Sequence, residues 1–260
     1  MEVQIKKTVK VGNSSAVVLP KSWLHKEVRV ELIEKTHEKI LFEVLEILGT
    51  YMKIKDIIGV YLTGSYARED ENEKSDIDIL VISNGLDKEM ISEGIYNILI
   101  VSTDLLKWKL ENDLLPIGPM IKEAKSLINE DYINSIVIAV TKKNIAWYVD
   151  STQEKLSLIK NVFDNYKNRE ELVNNRIIYT LVLRIRTFYL IDTLKDKNLY
   201  NKKEFVRLIN RISGSNKAYE SYLSVKNNVW NKDSLVHLIE AERLYDYLVK
   251  EIEKFGKIKW

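Results

Sequence analysis

The sequence predicts an α+β fold made of a small N-terminal β-hairpin segment, a mixed α/β centre and a C-terminal all-α bundle. Three observations carry that expectation. Residues 1–34 hold three short β-branched runs, VQIKKTVKV, SAVVLP and EVRVELIE, parted by turn-prone residues. Residues 57–62 and 77–82 are apolar, β-rich runs that flank an acidic connection, as two strands of one sheet would. From residue 151 onward no strand pattern is present, and apolar residues recur at helical spacing in five segments. These changes of pattern divide the chain into segments 1–34, 35–150 and 151–260.

Composition sets limits on function. At 260 residues the chain is long enough for two or three domains with a substantial core. It has no run of about 18 apolar residues, and its N-terminus lacks the apolar region of a signal peptide. A cytoplasmic protein with no membrane partner is the expectation. The absence of cysteine excludes disulfides and thiolate metal sites. His25, His37 and His237 are too scattered for zinc-ligand spacing. The net charge of +2 conceals an uneven distribution: +2 over residues 1–34, −7 over 35–150 and +7 over 151–260. An acidic centre suits a metal site, and basic flanks suit either nucleic acid or solvated helix faces.

Taken in order, Gly12-Asn13-Ser14-Ser15 makes the first turn, because Gly and Asn tolerate the backbone conformations that turns demand. Pro20 ends the second run, and residues 21–25 suit one helical turn. Strands this short cannot bury a core by themselves, so the segment must pair with another copy or with the rest of the chain. Residues 35–55 carry Ile40, Leu41, Val44, Leu45, Ile47, Leu48 and Tyr51 at helical spacing. Beyond the central strand pair, Leu86-Asp87-Lys88 opens a loop or short helix, and residues 95–101 form a third strand. Residues 105–115 and 117–127 are expected to be helical, parted by Pro116 and Pro119. Residues 133–141 are also assigned to helix, and Trp147 and Tyr148 to core packing. The C-terminal helices cover 157–166, 169–195, 202–212, 218–226 and 235–255. On them, Arg184 and Arg186 are expected to pair with carboxylates of neighbouring helices more readily than with a substrate phosphate.

The chemistry concentrates in residues 61–83, YLTGSYAREDENEKSDIDILVIS. Side chains two apart on a strand point to one face, so Asp76 and Asp78 lie about 6–7 Å apart along it. Two such carboxylates converge on a hard divalent cation such as Mg²⁺. Gly64 lets a phosphate approach the backbone, and Ser65 offers a hydroxyl and an N–H at the following turn. Gly64-Ser65, ten residues, then Asp76-x-Asp78 resembles the signature of minimal nucleotidyltransferases in the DNA polymerase β superfamily, over roughly residues 36–130. Ala67-Arg68 after the serine and Ser75 before the first aspartate fit as well. The resemblance implies a polymerase β-like core in which Asp76 and Asp78 hold Mg²⁺, while Gly64, Ser65 and Arg68 bind the phosphates of ATP or another nucleoside triphosphate. Such proteins usually carry a third carboxylate on the next strand. Asn97 stands at that position, and an amide is neutral and a poor base. Asp104 is a possible substitute, though it reads more as part of a helix start.

Two further resemblances flank this core. Residues 6–24, with Gly12-Asn13-Ser14 and Leu19-Pro20-Lys21, are similar to the swapped-hairpin DNA-binding domains of AbrB/MazE type. That implies a homodimer and DNA contacts from Lys6, Lys7, Lys10, Asn13 and Ser14. Five lysines against one glutamate in residues 1–26 agree with phosphate contact. The C-terminal helices loosely resemble an HEPN-type bundle. His237 has no arginine at the spacing of the nuclease members, which argues against ribonuclease chemistry. Two functions are expected. One is Mg²⁺-dependent transfer of a nucleoside monophosphate to a hydroxyl acceptor, coupled to DNA binding. The other is a transcription regulator or antitoxin-like protein that uses the fold as a nucleotide sensor.

Overall fold

The structure is a computed structural model and describes residues 6, 8–30, 35–72, 75–166, 168, 170–196, 198–229 and 235–257. The chain divides into two compact units, Met1–Thr36 and His37–Trp260.

In the first unit, β1 (Val9–Val11) and β2 (Ser14–Ala16) pair antiparallel, with Val9 opposite Ala16 and Val11 opposite Ser14. Gly12 and Asn13 form the two-residue connection, and Gly12 takes φ +59°, a conformation such tight hairpin turns require. One 3₁₀ turn, Lys21–Trp23, follows Pro20. The third expected strand is not found at residues 27–30, and its remainder, 31–34, lies outside the described residues, as does Lys7. No described residue of this unit is buried.

The second unit is built on a five-stranded sheet in the order β5-β6-β4-β3-β7. Its strands are β3 (Ile57–Thr63), β4 (Ile77–Ser83), β5 (Lys88–Glu93), β6 (Tyr96–Ser102) and β7 (Lys125–Ile128). β4 and β6 run parallel, and the other neighbouring pairs are antiparallel. Two of these strands correct the sequence reading. β5 replaces the expected loop or short helix after Leu86, and β7 replaces the last turn of a helix expected over 117–127. Both are edge strands, and pairing with β6 and β3 decides their conformation where short-range propensity is indifferent.

Both faces of the sheet are covered, which explains why β3, β4 and β6 read as near-continuous apolar runs. Helix α1 (His37–Gly49) lays Ile40, Val44 and Leu48 over one face, against Val60, Leu62, Ile79, Val81, Ile98 and Ile100. Tyr61, Leu80, Ile82 and Val101 point to the other face. There they meet α3 (Thr103–Asn112), α4 (Ile117–Glu123) and α5 (Glu130–Ser135) through Leu106, Ile117, Ile121 and Ile133. Helix α5 stops at Ser135, so residues 136–141 are irregular where helix was expected.

Helices α6 (Lys142–Phe163), α7 (Asn175–Lys195), α8 (Lys202–Ser213), α9 (Lys217–Lys226) and α10 (Leu238–Lys257) share a third core. Residue 150, where the sequence pattern changes, lies inside α6. That helix starts on a reciprocal Thr141–Asn144 capping box. Its buried stripe runs through Ile145, Tyr148, Thr152, Leu156 and Ile159. Trp147 falls outside this stripe and is 65% exposed, which corrects its assignment to the core. The two-residue strands β8 (Leu172–Val173) and β9 (Val236–His237) pair antiparallel where no strand pattern was legible.

Candidate functional site

The site forms where β3, β4 and β6 present adjacent side chains at one end of the sheet. Thr63 lies opposite Asp78 across β3 and β4, and Asp78 lies opposite Asn97 across β4 and β6. β3 ends in the short helix α2 (Gly64–Ala67), with Arg68 at its C-cap. Gly64 has φ +67°, and a Cβ there would stand 2.2 Å from Asp78 Oδ2. The Gly64 backbone and the Asp78 carboxylate are therefore in contact, and only glycine permits it. The Ser65 hydroxyl makes no hydrogen bond among the described residues, which leaves it available to a ligand.

Asp76 is exposed and immediately precedes β4; it is not part of the strand. Asp78 is half-buried, and its pKa is raised by desolvation, with the charge of Asp76 adding to the rise. The Asn97 side chain hydrogen-bonds to Asp78 and lowers that pKa in part. Against a carboxylate the amide must donate through Nδ2. Its Oδ1 accepts from Ser92 Oγ at 2.9 Å. The Asn97 oxygen is thus occupied on the side away from Asp78. Asp104 lies in the first turn of α3, as its sequence suggested.

Asp76 and Asp78 supply hard oxygen donors that feel one another's charge and reach solvent through Asp76, a set suited to Mg²⁺ with water completing the coordination. Among the described residues, no group of three His, Cys, Asp or Glu gathers to hold a metal. A cation at this place would rest on two carboxylates.

Arg68 is engaged on two sides. Its Nη1 donates to Glu123 Oε2 at 2.6 Å, and Nη2 and Nε donate to Asp70 at 3.3 and 3.4 Å. The other Glu123 oxygen accepts from Gly64 N–H at 2.8 Å. Glu123 is the last residue of α4 and is largely buried, and burial raises its pKa despite the opposing guanidinium. At Arg68 the balance is reversed. Burial works to lower its pKa, but Glu123 and Asp70 together hold it up.

Behind Arg68 the helical layer contributes more positive charge. The guanidinium carbons of Arg68 and Arg186 lie 5.3 and 5.4 Å from the centre of the Tyr200 ring. Arg186, on α7, hydrogen-bonds to Tyr200 and Tyr222 and has no ion pair among the described residues. The pairing with a carboxylate expected of it is not found. Lys226, at the end of α9, has its pKa lowered, first by desolvation of its ammonium and then by Arg186 and Lys202; Asp78 opposes the fall. The residue as a whole is exposed. Arg68, although paired with Glu123 and Asp70, and Lys226 both act on Asp78, and Arg186 beside them has no acid partner among the described residues, an arrangement that accommodates a polyanion. Arg184, the other arginine of α7 singled out by sequence, donates to Ser151 Oγ at 3.1 Å.

The structure brings together Gly64, Ser65, Arg68, Asp76, Asp78 and Asn97. The other candidates, Lys6, Lys10, Asn13 and Ser14, lie on or beside the hairpin of the first unit. Glu123, Tyr200, Tyr222 and Lys226 were not legible beforehand. Glu123 is 55 residues from Arg68, and no local motif links them.

Comparison with known proteins adds the family. The chain resembles a spectinomycin adenyltransferase from Enterococcus faecialis, solved with ATP and spectinomycin, at 14% identity and a TM-score of 0.43, over 82% of this chain and 99% of that one. It also resembles a nucleotidyltransferase-like protein from Exiguobacterium sibiricum at 13% identity and a TM-score of 0.34, over 85% of this chain and 78% of that one. Both likenesses are distant. No curated relative matches the chain. The family model described as Nucleotidyltransferase domain matches residues 41–186, more than half of the sequence. That match takes in the whole sheet, the Gly64 turn and Asp78, and the chain belongs to the nucleotidyltransferase domain family.

Proposed function

We propose that the chain transfers a nucleoside monophosphate from a nucleoside triphosphate, ATP being the first candidate, to a hydroxyl acceptor. The observation that carries this reading is the meeting of opposite charges across Gly64. Asp78 is in contact with the Gly64 backbone, and Arg68, Arg186 and Lys226 lie within its electrostatic reach or beside one another. A triphosphate laid along the cations brings its α-phosphorus toward the carboxylates. The acceptor oxygen then bonds to that phosphorus while the bond to pyrophosphate breaks. Pyrophosphate leaves with the electron pair, and the acceptor proton passes to solvent. Arg68, Arg186 and Lys226 compensate the charge that grows on the departing oxygens. Asp76 and Asp78 would hold Mg²⁺, which when bound neutralises charge on the transferred phosphate.

Incubation with ATP labelled at the α-phosphate and Mg²⁺ tests the proposal. Label is expected in protein, RNA or a small hydroxyl compound, with pyrophosphate released in equal amount. A second reading is a nucleotide sensor without transfer, acting as a regulator or antitoxin-like module. It is favoured by Asn97, a neutral amide held between Ser92 and Asp78 at the position where the family resemblance implies a carboxylate. Tight nucleotide binding with no labelled product and no pyrophosphate would select this reading.

For the first unit we infer an AbrB-like role in dimerisation and DNA binding within the cytoplasm, the five C-terminal helices being HEPN-like in order. The support is the exposed apolar surface of a hairpin with three-residue strands, including Val9, Val11 and Val18, next to Lys6 and Lys10. Such a hairpin needs a partner surface to be stable. Removing residues 1–36 is expected to halve the mass seen by light scattering and to abolish duplex binding. In the intact protein, affinity should fall with salt with a log–log slope of about −0.9 per neutralised phosphate. A full-length monomer with no affinity for duplex DNA at about 50 mM salt would exclude this role.

A further inference from the structure

We infer that Glu123 is an internal stand-in for a nucleotide phosphate, and that a nucleoside triphosphate must displace it to bind. The inference rests on the proposed nucleotide site and deepens it. Gly64 N–H and the Arg68 guanidinium are the groups from which phosphate recognition is expected, and in the structure one carboxylate occupies both, at 2.8 and 2.6 Å. The geometry is that of a bridging anion: one oxygen on a backbone N–H, the other on a guanidinium. A phosphate offers the same two oxygens with more charge. It cannot share this cradle with Glu123, since both anions would need the same Gly64 N–H and the same Arg68 Nη1.

The position of Glu123 makes displacement feasible. It is the last residue of α4, followed by Ala124, which leaves the helix with ψ 129° and leads directly into β7. The side chain can turn away without disturbing the buried Ile117 and Ile121 that anchor α4. Arg68 would meanwhile keep its contacts to Asp70, so it remains oriented for the incoming phosphate. Apparent nucleotide affinity is then reduced by the fraction of molecules in which Glu123 fills the cradle.

Glu123→Gln separates this role from a merely structural one. The glutamine oxygen can still accept from Gly64 N–H, but the charge that competes for Arg68 is gone. Calorimetry with a non-hydrolysable ATP analogue and Mg²⁺ is expected to show binding about tenfold tighter in the variant than in wild type. Glu123→Asp, which keeps the charge but withdraws it by one methylene, should shift affinity the same way by less. A melting curve without nucleotide establishes that each variant is folded. Equal or weaker binding in both folded variants overturns the displacement and leaves the nucleotide site standing. Binding in neither wild type nor variants overturns the site and the displacement together.

Discussion

Replacing Asp76 and Asp78 together by asparagine is expected to lower nucleotidyl transfer by a factor on the order of a thousand or more, with little change in thermal stability. Both substitutions preserve side-chain size while removing the two negative charges that would compensate a divalent ion next to the α-phosphate. Stability is spared for a physical reason. Burial raises the Asp78 pKa, so folding makes its ionised form less favourable than it is in the unfolded chain. A carboxyl with a raised folded pKa contributes stability at low pH and loses it as pH rises through that pKa. A neutral amide at Asp78 carries no cost of burying a charge, so the melting temperature is expected to be unchanged or higher. Loss of transfer with an intact melting curve therefore reports chemistry and not unfolding. If label transfer by the double variant stays within tenfold of wild type, Asp76 and Asp78 are not the centre of the reaction.

Gly64→Ala is expected to damage fold and function at once. The residue adopts φ +67°, where an L side chain costs roughly 1–2 kcal/mol. In a unit of this size that corresponds to a fall of a few degrees in melting temperature. The added Cβ would also stand 2.2 Å from Asp78 Oδ2 and 3.0 Å from Asp78 Cβ. Something must move, and the Asp78 carboxylate is the more compliant partner. A shift of about 1 Å in a reacting constellation costs around a hundredfold in rate, so transfer should fall by at least that factor. Differential scanning calorimetry and the α-label assay read the two effects separately. Wild-type transfer by a Gly64→Ala protein would mean that the close approach of Gly64 to Asp78 has no role in the chemistry.

The two variants and Glu123→Gln bear on different links of the same site. The aspartates test the acidic side, Gly64 tests the backbone contact between the halves, and Glu123 tests access to the basic side. Asn97 is consistent with all three, because it donates to Asp78 and so steadies that carboxylate without adding charge.

The α+β class, the three central strands β3, β4 and β6 and the helical C-terminus followed from the sequence because they are written in short-range patterns. Period-3.6 stripes, apolar runs and the Gly12-Asn13 turn need only a few neighbouring residues to be read. The spacing of Gly64-Ser65 to Asp76-x-Asp78 is equally local, since one turn and one connection join two adjacent strands. What tertiary structure decided lies at longer range. The edge strands β5 and β7 exist because β6 and β3 offer them unpaired backbone groups, not because Lys88–Glu93 or Lys125–Ile128 demand extension. Arg186 faces tyrosines and Arg68 in place of an acid because α7 packs against the sheet layer's helix α4 and brings Tyr200 between the two guanidiniums' reach. Glu123 reaches Gly64 and Arg68 across 59 and 55 residues because chain reversal through α3 and α4 returns it to the end of β3. No periodicity encodes such a meeting. It arises when burying both faces of the sheet leaves one carboxylate and one guanidinium in the same partly dry place, where pairing offsets the cost of desolvating each.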